Sequence, residues 1–244
     1  MDRRLAFLDE VDRRLRDLPH VSLSSVVERA GGIERVFLVL VDILKGFCDT
    51  GPLSSKRVRE MVEPVRRLTA ICLERGLPER NLLFLHDEHP EHAVEFAAFP
   101  PHCVRGTAES EVVDELRPYW ELQGVKRFRK NATSGLFGVN DANEVFHAFL
   151  TDRFREGHCT FLVMGDCTDL CIYQNALGIR LLANERNADV RVMVSREHVR
   201  TYDLSVDAAE AVGALPHDGD VMDCLFNYHM WLNGVEIVQT VTLD

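Results

Sequence analysis

The residue whose placement most suggests chemistry is Cys171. It stands in Gly165-Asp166-Cys167-Thr168-Asp169-Leu170-Cys171, at the predicted start of a helix. A thiol attacks only as thiolate, and a helix N-terminus with a cation nearby favours that anion. Exposed backbone N–H groups in such a turn also suit the oxyanion of a tetrahedral intermediate. Taken alone, Cys171 reads equally as a small buried apolar residue, the common fate of a free cysteine. A zinc knuckle is disfavoured, because Cys-x3-Cys has no second matching pair. Asp42 closes the apolar run Val36 to Val41 and is either a cap or a catalytic carboxylate; Lys130 follows a short strand-like segment. His86-Asp87-Glu88-His89-Pro90-Glu91-His92, with Glu95 and His102 beyond, is dense in imidazole and carboxylate. That mixture suits a divalent transition metal, and equally a polar surface loop.

These groups need elements that bring them together. Val36 to Val41 is continuously apolar and β-branched, as expected of a strand buried on both faces. Further strands are expected at Asn81 to Leu85, Val125 to Arg129, Thr160 to Met164, Val190 to Val194 and Val235 to Val241. Helical periodicity covers Arg57 to Arg75, ending at Gly76, then 109–122, 141–156, 169–183 and a tail around 206–233. Strands separated by helices imply βαβ units. The fold class is therefore α/β: a doubly wound, mostly parallel six-stranded sheet with helices on both faces. In such a sheet, sites form at the carboxyl ends of the strands. Asp42, Asp87, His89, Lys130 and the Cys167–Cys171 segment all fall there.

Residues 1–34 are read as an N-terminal helical extension, with Leu5, Leu8, Val11, Leu15 and Leu18 between charges, and 35–244 as the main domain. At 244 residues the chain is long enough for one sizeable core. A net charge of −11 argues against nucleic acid or an anionic membrane as partner. No run approaches the ~18 apolar residues of a membrane span, and the opening residues are too charged for a secretory signal. The seven cysteines are odd in number and irregularly spaced, which reads as reduced thiols in a cytoplasmic protein. The sequon Asn131-Ala132-Thr133 is then set aside as chance.

Four segments together resemble the isochorismatase-like cysteine hydrolases, and within them the nicotinamidases of plant type. The resemblance covers roughly residues 36–240. It lies in VLVDILKGFC (39–48), FPPHCVRGTAESEVV (99–113), FRKNATSGLFG (128–138) and VMGDCTDLCIYQNA (163–176), with TYDLS (201–205) near the end. The second is the most specific, because most relatives outside the nicotinamidases lack it. The resemblance implies a Rossmann-like fold and hydrolysis of nicotinamide to nicotinic acid and ammonia, a step of NAD salvage. It makes Asp42, Lys130 and Cys171 the catalytic triad, with the amides of Cys167 and Cys171 as oxyanion hole after a cis peptide at Asp166–Cys167. Phe47, Phe99 and Phe137 would pack the substrate ring. One divalent metal, zinc before iron or manganese, would be held by Asp87, His89 and His102, with Glu95 preferred over His92 as fourth ligand. A homo-oligomer is expected. Two departures stand out: Leu44 where a Gln is common, and Asp166 where the residue is usually apolar. The rival readings are a related amidase for another carboxamide or ureido compound, and a non-catalytic sensor of pyridine ligands.

Overall fold

A computed structural model describes residues 2–244. In chain order the elements are α1 (Arg3–Arg16), β1 (His20–Ser22), α2 (Leu23–Ala30), β2 (Val36–Val41), α3 (Lys45–Cys48), α4 (Lys56–Arg59), α5 (Val62–Glu74) and β3 (Leu82–Asp87). Then come α6 (Arg117–Trp120), β4 (Lys126–Lys130), α7 (Phe146–Arg155), β5 (Cys159–Asp166), α8 (Tyr173–Glu185), β6 (Val190–Arg200), α9 (Val206–Val212), α10 (Gly219–Leu232), β7 (Glu236–Val238) and β8 (Thr240–Thr242). Six strands form one parallel sheet in the order β4-β3-β2-β5-β6-β7. The order of connection reverses between β2 and β5, which opens a crevice at their carboxyl ends. Alternation along β2 divides the core in two. Leu38 and Leu40 pack under α2 and α5, whereas Phe37, Val39 and Val41 pack with α7 and α8. Among the described residues, no helix is long and apolar enough to cross a membrane.

Several helices are shorter than periodicity predicts, each for a local reason. The Arg57 to Arg75 helix breaks at Glu60–Met61. Pro64 cannot donate back to Glu60, so the chain restarts with proline in the first turn of α5. Segment 109–122 yields only α6, because residues 111–113 bond instead to residues 43–45: the Lys45 amide donates to the Glu111 carbonyl and the Val113 amide to that of Ile43. The tail around 206–233 divides at Gly213, in the left-handed region at φ 69°, and resumes where Asp218 caps α10. The expected strand Val235 to Val241 divides at Gln239, so that β7 joins the main sheet and β8 pairs with β1.

Near the N-terminus, α1 packs onto the body. Val11 and Leu15 of α1 enter the core shared with α10, and Phe7 meets Tyr228 edge to face at 5.9 Å. The Ser-rich stretch after Pro19 contains an unforeseen helix, α2. Ser22 caps it, accepting from the Ser25 amide, and Leu23, Val26 and Ala30 are buried.

Candidate active site

Four adjacent strand ends present, in order across the sheet, Lys130, Asp87, Asp42 and Asp166. Asp87 pairs with Lys130 in the β3–β4 register. Val41 pairs with Gly165 in the β2–β5 register, so Asp42 and Asp166 are the next residues along neighbouring strands. Two backbone features make this possible. Gly165 lies so close to β2 that a Cβ on it would stand 1.9 Å from the Val41 carbonyl oxygen, which no side chain permits. Asp42 itself has φ 53°, a conformation unusual outside glycine. It turns the carboxylate back over the sheet edge, where Oδ1 accepts from the Asp87 amide at 2.8 Å.

The Lys130 ammonium is buried and stands 2.7 Å from both Asp42 Oδ2 and Asp87 Oδ1, and 3.5 Å from Cys171 Sγ. Burial disfavours its charge, but the two carboxylates more than offset this and hold its pKa well above the ordinary value. Asp42 is pushed up to about 7 by burial and by the charge of Asp87, with Lys130 opposing. A carboxyl poised there exchanges protons readily near neutral pH. Cys171 lies not in a regular helix start but in a π-helical turn, Thr168–Ile172, that leads into α8. Burial raises its thiol well above the usual range and Lys130 only partly compensates. The resting thiol is thus protonated, contrary to the lowering expected from a helix N-terminus, because its surroundings exclude water. Activation then needs a base, and Asp42 is in contact to serve as one.

The Asp166–Cys167 peptide is cis, as the resemblance implied. The Cys167 amide donates to no backbone carbonyl among the turns and loops of the described residues, and the Cys171 amide lies inside the Thr168–Ile172 turn that follows it. Asn175, which sequence reasoning missed, clamps this turn. Its Nδ2 donates to the Cys171 carbonyl at 2.8 Å, and its Oδ1 accepts from the Gly135 amide.

A second cluster adjoins the first through Asp87. Ligand atoms of Asp87, His89 and His102 all lie within 4.8 Å of one another, and the three residues are buried. Each imidazole turns Nδ1 outward: His89 towards the Asn131 side-chain oxygen at 2.8 Å, His102 towards the Pro100 carbonyl at 2.9 Å. Such acceptors keep the proton on Nδ1 and leave the Nε2 lone pair facing Asp87. His89 Nε2 is buried without a hydrogen-bond partner. These three residues fit a divalent cation. Asn131, in the sequon dismissed from sequence, is the residue that orients His89. Glu95 lies on the short 3-10 turn Val94–Ala97, near enough for its charge to act on both imidazoles but outside the 4.8 Å group; His92 is exposed.

Of the aromatic candidates, Phe47 is buried with its ring 5.5 Å from that of His102, and half-buried Phe99 is 6.2 Å from it. Phe96, overlooked in the sequence, lies 5.6 Å from His102 and 5.3 Å from His89. Phe137 is 73% exposed. Leu136 takes the inward position of that turn against α8, which rotates its neighbour out.

Asp166 is buried, its Oδ2 has no partner, and its Oδ1 meets only the Cys167 thiol at 3.9 Å. Burial, and then the charge of Asp42, push its pKa well above the ordinary value. An acid kept neutral in the fold, yet free to ionise in the unfolded chain, costs stability once the pH exceeds the unfolded value near 4. Asp166→Asn cannot ionise. Its melting temperature is expected to exceed that of wild type by about 3–10 °C near neutral pH, with the gap closing towards pH ~4. A gap that stays constant with pH would show that Asp166 is charged in the fold.

A family model described as "Isochorismatase domain" matches residues 36–193. The curated protein Nicotinamidase 1 of Arabidopsis thaliana is 26% identical over 223 residues, covering 86% of this chain and 87% of that protein. Among solved structures, L. infantum PnC1 in complex with nicotinate superposes with TM-score 0.60 at 19% identity, covering 92% of this chain and 98% of that one. The pyrazinamidase of Pyrococcus horikoshii in complex with zinc gives TM-score 0.59 at 20% identity, over 84% of this chain and 99% of that one.

Proposed function

Because the chain belongs to the isochorismatase family, we propose that it hydrolyses nicotinamide to nicotinic acid and ammonia through a thioester on Cys171, as a step of NAD salvage. The observation that carries this reading is the juncture at Asp87, which joins the Asp42–Lys130–Cys171 cluster to the Asp87–His89–His102 set. The similarity to Nicotinamidase 1 supports it.

In this mechanism Asp42 takes the thiol proton of Cys171, and Lys130 stabilises the thiolate 3.5 Å away. The sulfur attacks the carboxamide carbon while the amides of Cys167 and Cys171 donate to the oxygen. Asp42, now protonated, gives its proton to the departing ammonia. It then takes one from the water that cleaves the thioester, which regenerates the thiol. Asp87 holds Lys130 in place. Asp87, His89 and His102 would hold the divalent ion, zinc before iron or manganese, which when bound offers a Lewis-acid site for a ring nitrogen or a water. Phe47 and Phe99 flank that site and pack the ring. Phe96 is added to them, and Phe137 is set aside for its exposure. Glu95 completes the ligand set if its loop closes on the ion. Residues 35–244 form the hydrolase domain, with 1–34 as a packed extension. We place the protein in the cytoplasm, without nucleic-acid or membrane partners, as a homo-oligomer whose contacts include the exposed Val206, Val212 and Leu215.

An ammonia-release assay over a panel of small amides tests the substrate. Nicotinamide is expected to react about 10- to 100-fold faster than benzamide, which has the same shape but leaves the partner of the ring nitrogen unsatisfied. Equal rates would redirect the reading to another carboxamide or a ureido compound.

A further inference from the structure

The turn that carries Cys171 is tied to the C-terminal part of the chain by a buried cluster that the mechanism above does not use. Asp169 stands two residues before Cys171 in the Thr168–Ile172 turn. Its Oδ1 accepts from the Thr201 hydroxyl at 2.5 Å, and its Oδ2 lies 2.8 Å from His217 Nε2. The other ring nitrogen, Nδ1, lies 3.0 Å from the Tyr202 carbonyl oxygen. Carbonyl and carboxylate oxygens only accept. Both contacts are therefore satisfied only if both ring nitrogens carry protons. A neutral imidazole would leave one of them as lone pair against lone pair.

The ring has little freedom to escape that choice. His217 is 6% exposed and Thr201 is fully buried. The Tyr202 ring stacks on the imidazole at 3.8 Å, with 15° between planes. The His217 and Leu204 backbones exchange two hydrogen bonds, at 2.7 and 2.8 Å. The charges around it favour a cation. Asp169 comes from the nucleophile turn. Asp203, from the segment after β6, accepts from the Gly219 amide, and Asp218 caps α10. Arg57 of α4 lies beside Gly219, two residues beyond the ring, and is engaged by Asp220 and Asp223. Burial lowers the pKa of His217, but the bond to Asp169 outweighs it and the net direction is up.

We propose that His217 is a positioning residue: as an imidazolium bonded to Asp169, it holds the Thr168–Ile172 turn and so directs Cys171 Sγ at Lys130 and Asp42. This rests on Cys171 being the nucleophile. The turn is held on one side by Asn175, through the Cys171 carbonyl, and on the other by Asp169. Losing one proton of His217 forfeits either the bond to Asp169 or the bond to the Tyr202 carbonyl, so the ring no longer ties the turn to the 201–217 segment from both sides. A displacement of even ~1 Å at a reacting atom lowers turnover about 100-fold.

The test compares wild type with His217→Gln, which can donate to Asp169 but neither carries charge nor spans both acceptors. Iodoacetamide labelling of Cys171, located by mass mapping, is followed alongside kcat and KM. In the variant, kcat is expected to fall about tenfold or more with KM within about threefold, and Cys171 labelling to slow in parallel. Heteronuclear NMR of the wild-type ring should show both nitrogens protonated at pH ~7, where an unperturbed histidine is mostly neutral. A singly protonated ring at that pH overturns the proposal, as does a variant with wild-type kcat and labelling. If the variant fails to fold, the wild-type ring spectrum still decides. If wild-type Cys171 resists labelling while another thiol reacts, the nucleophile assignment falls and this proposal with it. Equal labelling of Cys171 in both proteins defeats the positioning role alone.

Discussion

Cys171→Ala is expected to lower nicotinamide turnover by about 10⁴- to 10⁶-fold, the loss usual when a covalent nucleophile is removed. The effect is large because nothing nearby can replace the sulfur. Lys130 and Asp42 are committed to each other at 2.7 Å, and the other buried thiol of the turn, Cys167, lies four residues away beside Asp166. The fold should survive the change. The lost sulfur leaves a small cavity, worth about 1–2 kcal/mol in a core of this kind. Single-turnover assays with mass spectrometry give the companion result: an acyl adduct on Cys171 in wild type and none in the variant. Residual turnover within about tenfold of wild type would defeat the covalent mechanism.

His89→Ala and His102→Ala are expected to lose a bound divalent ion and to lower activity on nicotinamide by about 100-fold or more. Elemental analysis of the purified wild type should give about one divalent ion per chain. Both variants should keep a reactive Cys171, because neither imidazole touches the thiol or Lys130. Asp87→Ala is expected to behave differently. Asp87 pairs with Lys130 at 2.7 Å as well as facing both imidazoles, so its loss should remove the ion and slow labelling of Cys171 together. A metal-free wild type with full activity would rule out the metal site. An Asp87→Ala protein that labels like His89→Ala would show that the two clusters are independent.

How much of this was legible beforehand differs from one residue to the next. The sheet was written in short β-branched runs separated by helical stretches, since a parallel strand covered on both faces has to be apolar throughout. Val36 to Val41 shows it, buried along its whole length. Asp42 stood out as a polar group closing such a run, whereas Lys130 and Cys171 joined it as a catalytic set only through the family resemblance. The helix ends were harder. Pro64 and Gly213 marked two of the breaks, but the failure of 109–122 to form one helix depended on residues 43–45, more than sixty positions away, supplying the competing backbone partners.

What the chain alone determined, then, was the set of chemical groups and the edge they share: periodicity and local sterics are properties of neighbours in sequence. Only the tertiary structure decided how those groups are tuned. Burial raised Cys171 where a helix N-terminus alone would have lowered it, and it kept Asp166 neutral. One carboxylate, Asp87, came to serve both Lys130 and the imidazoles. Asn131, Asn175 and His217 acquired partners at separations of 42, 4 and 48 residues. The physical reason is that electrostatic interaction in a dry interior depends on distance and solvent exclusion, and neither is encoded in the spacing of residues along the chain.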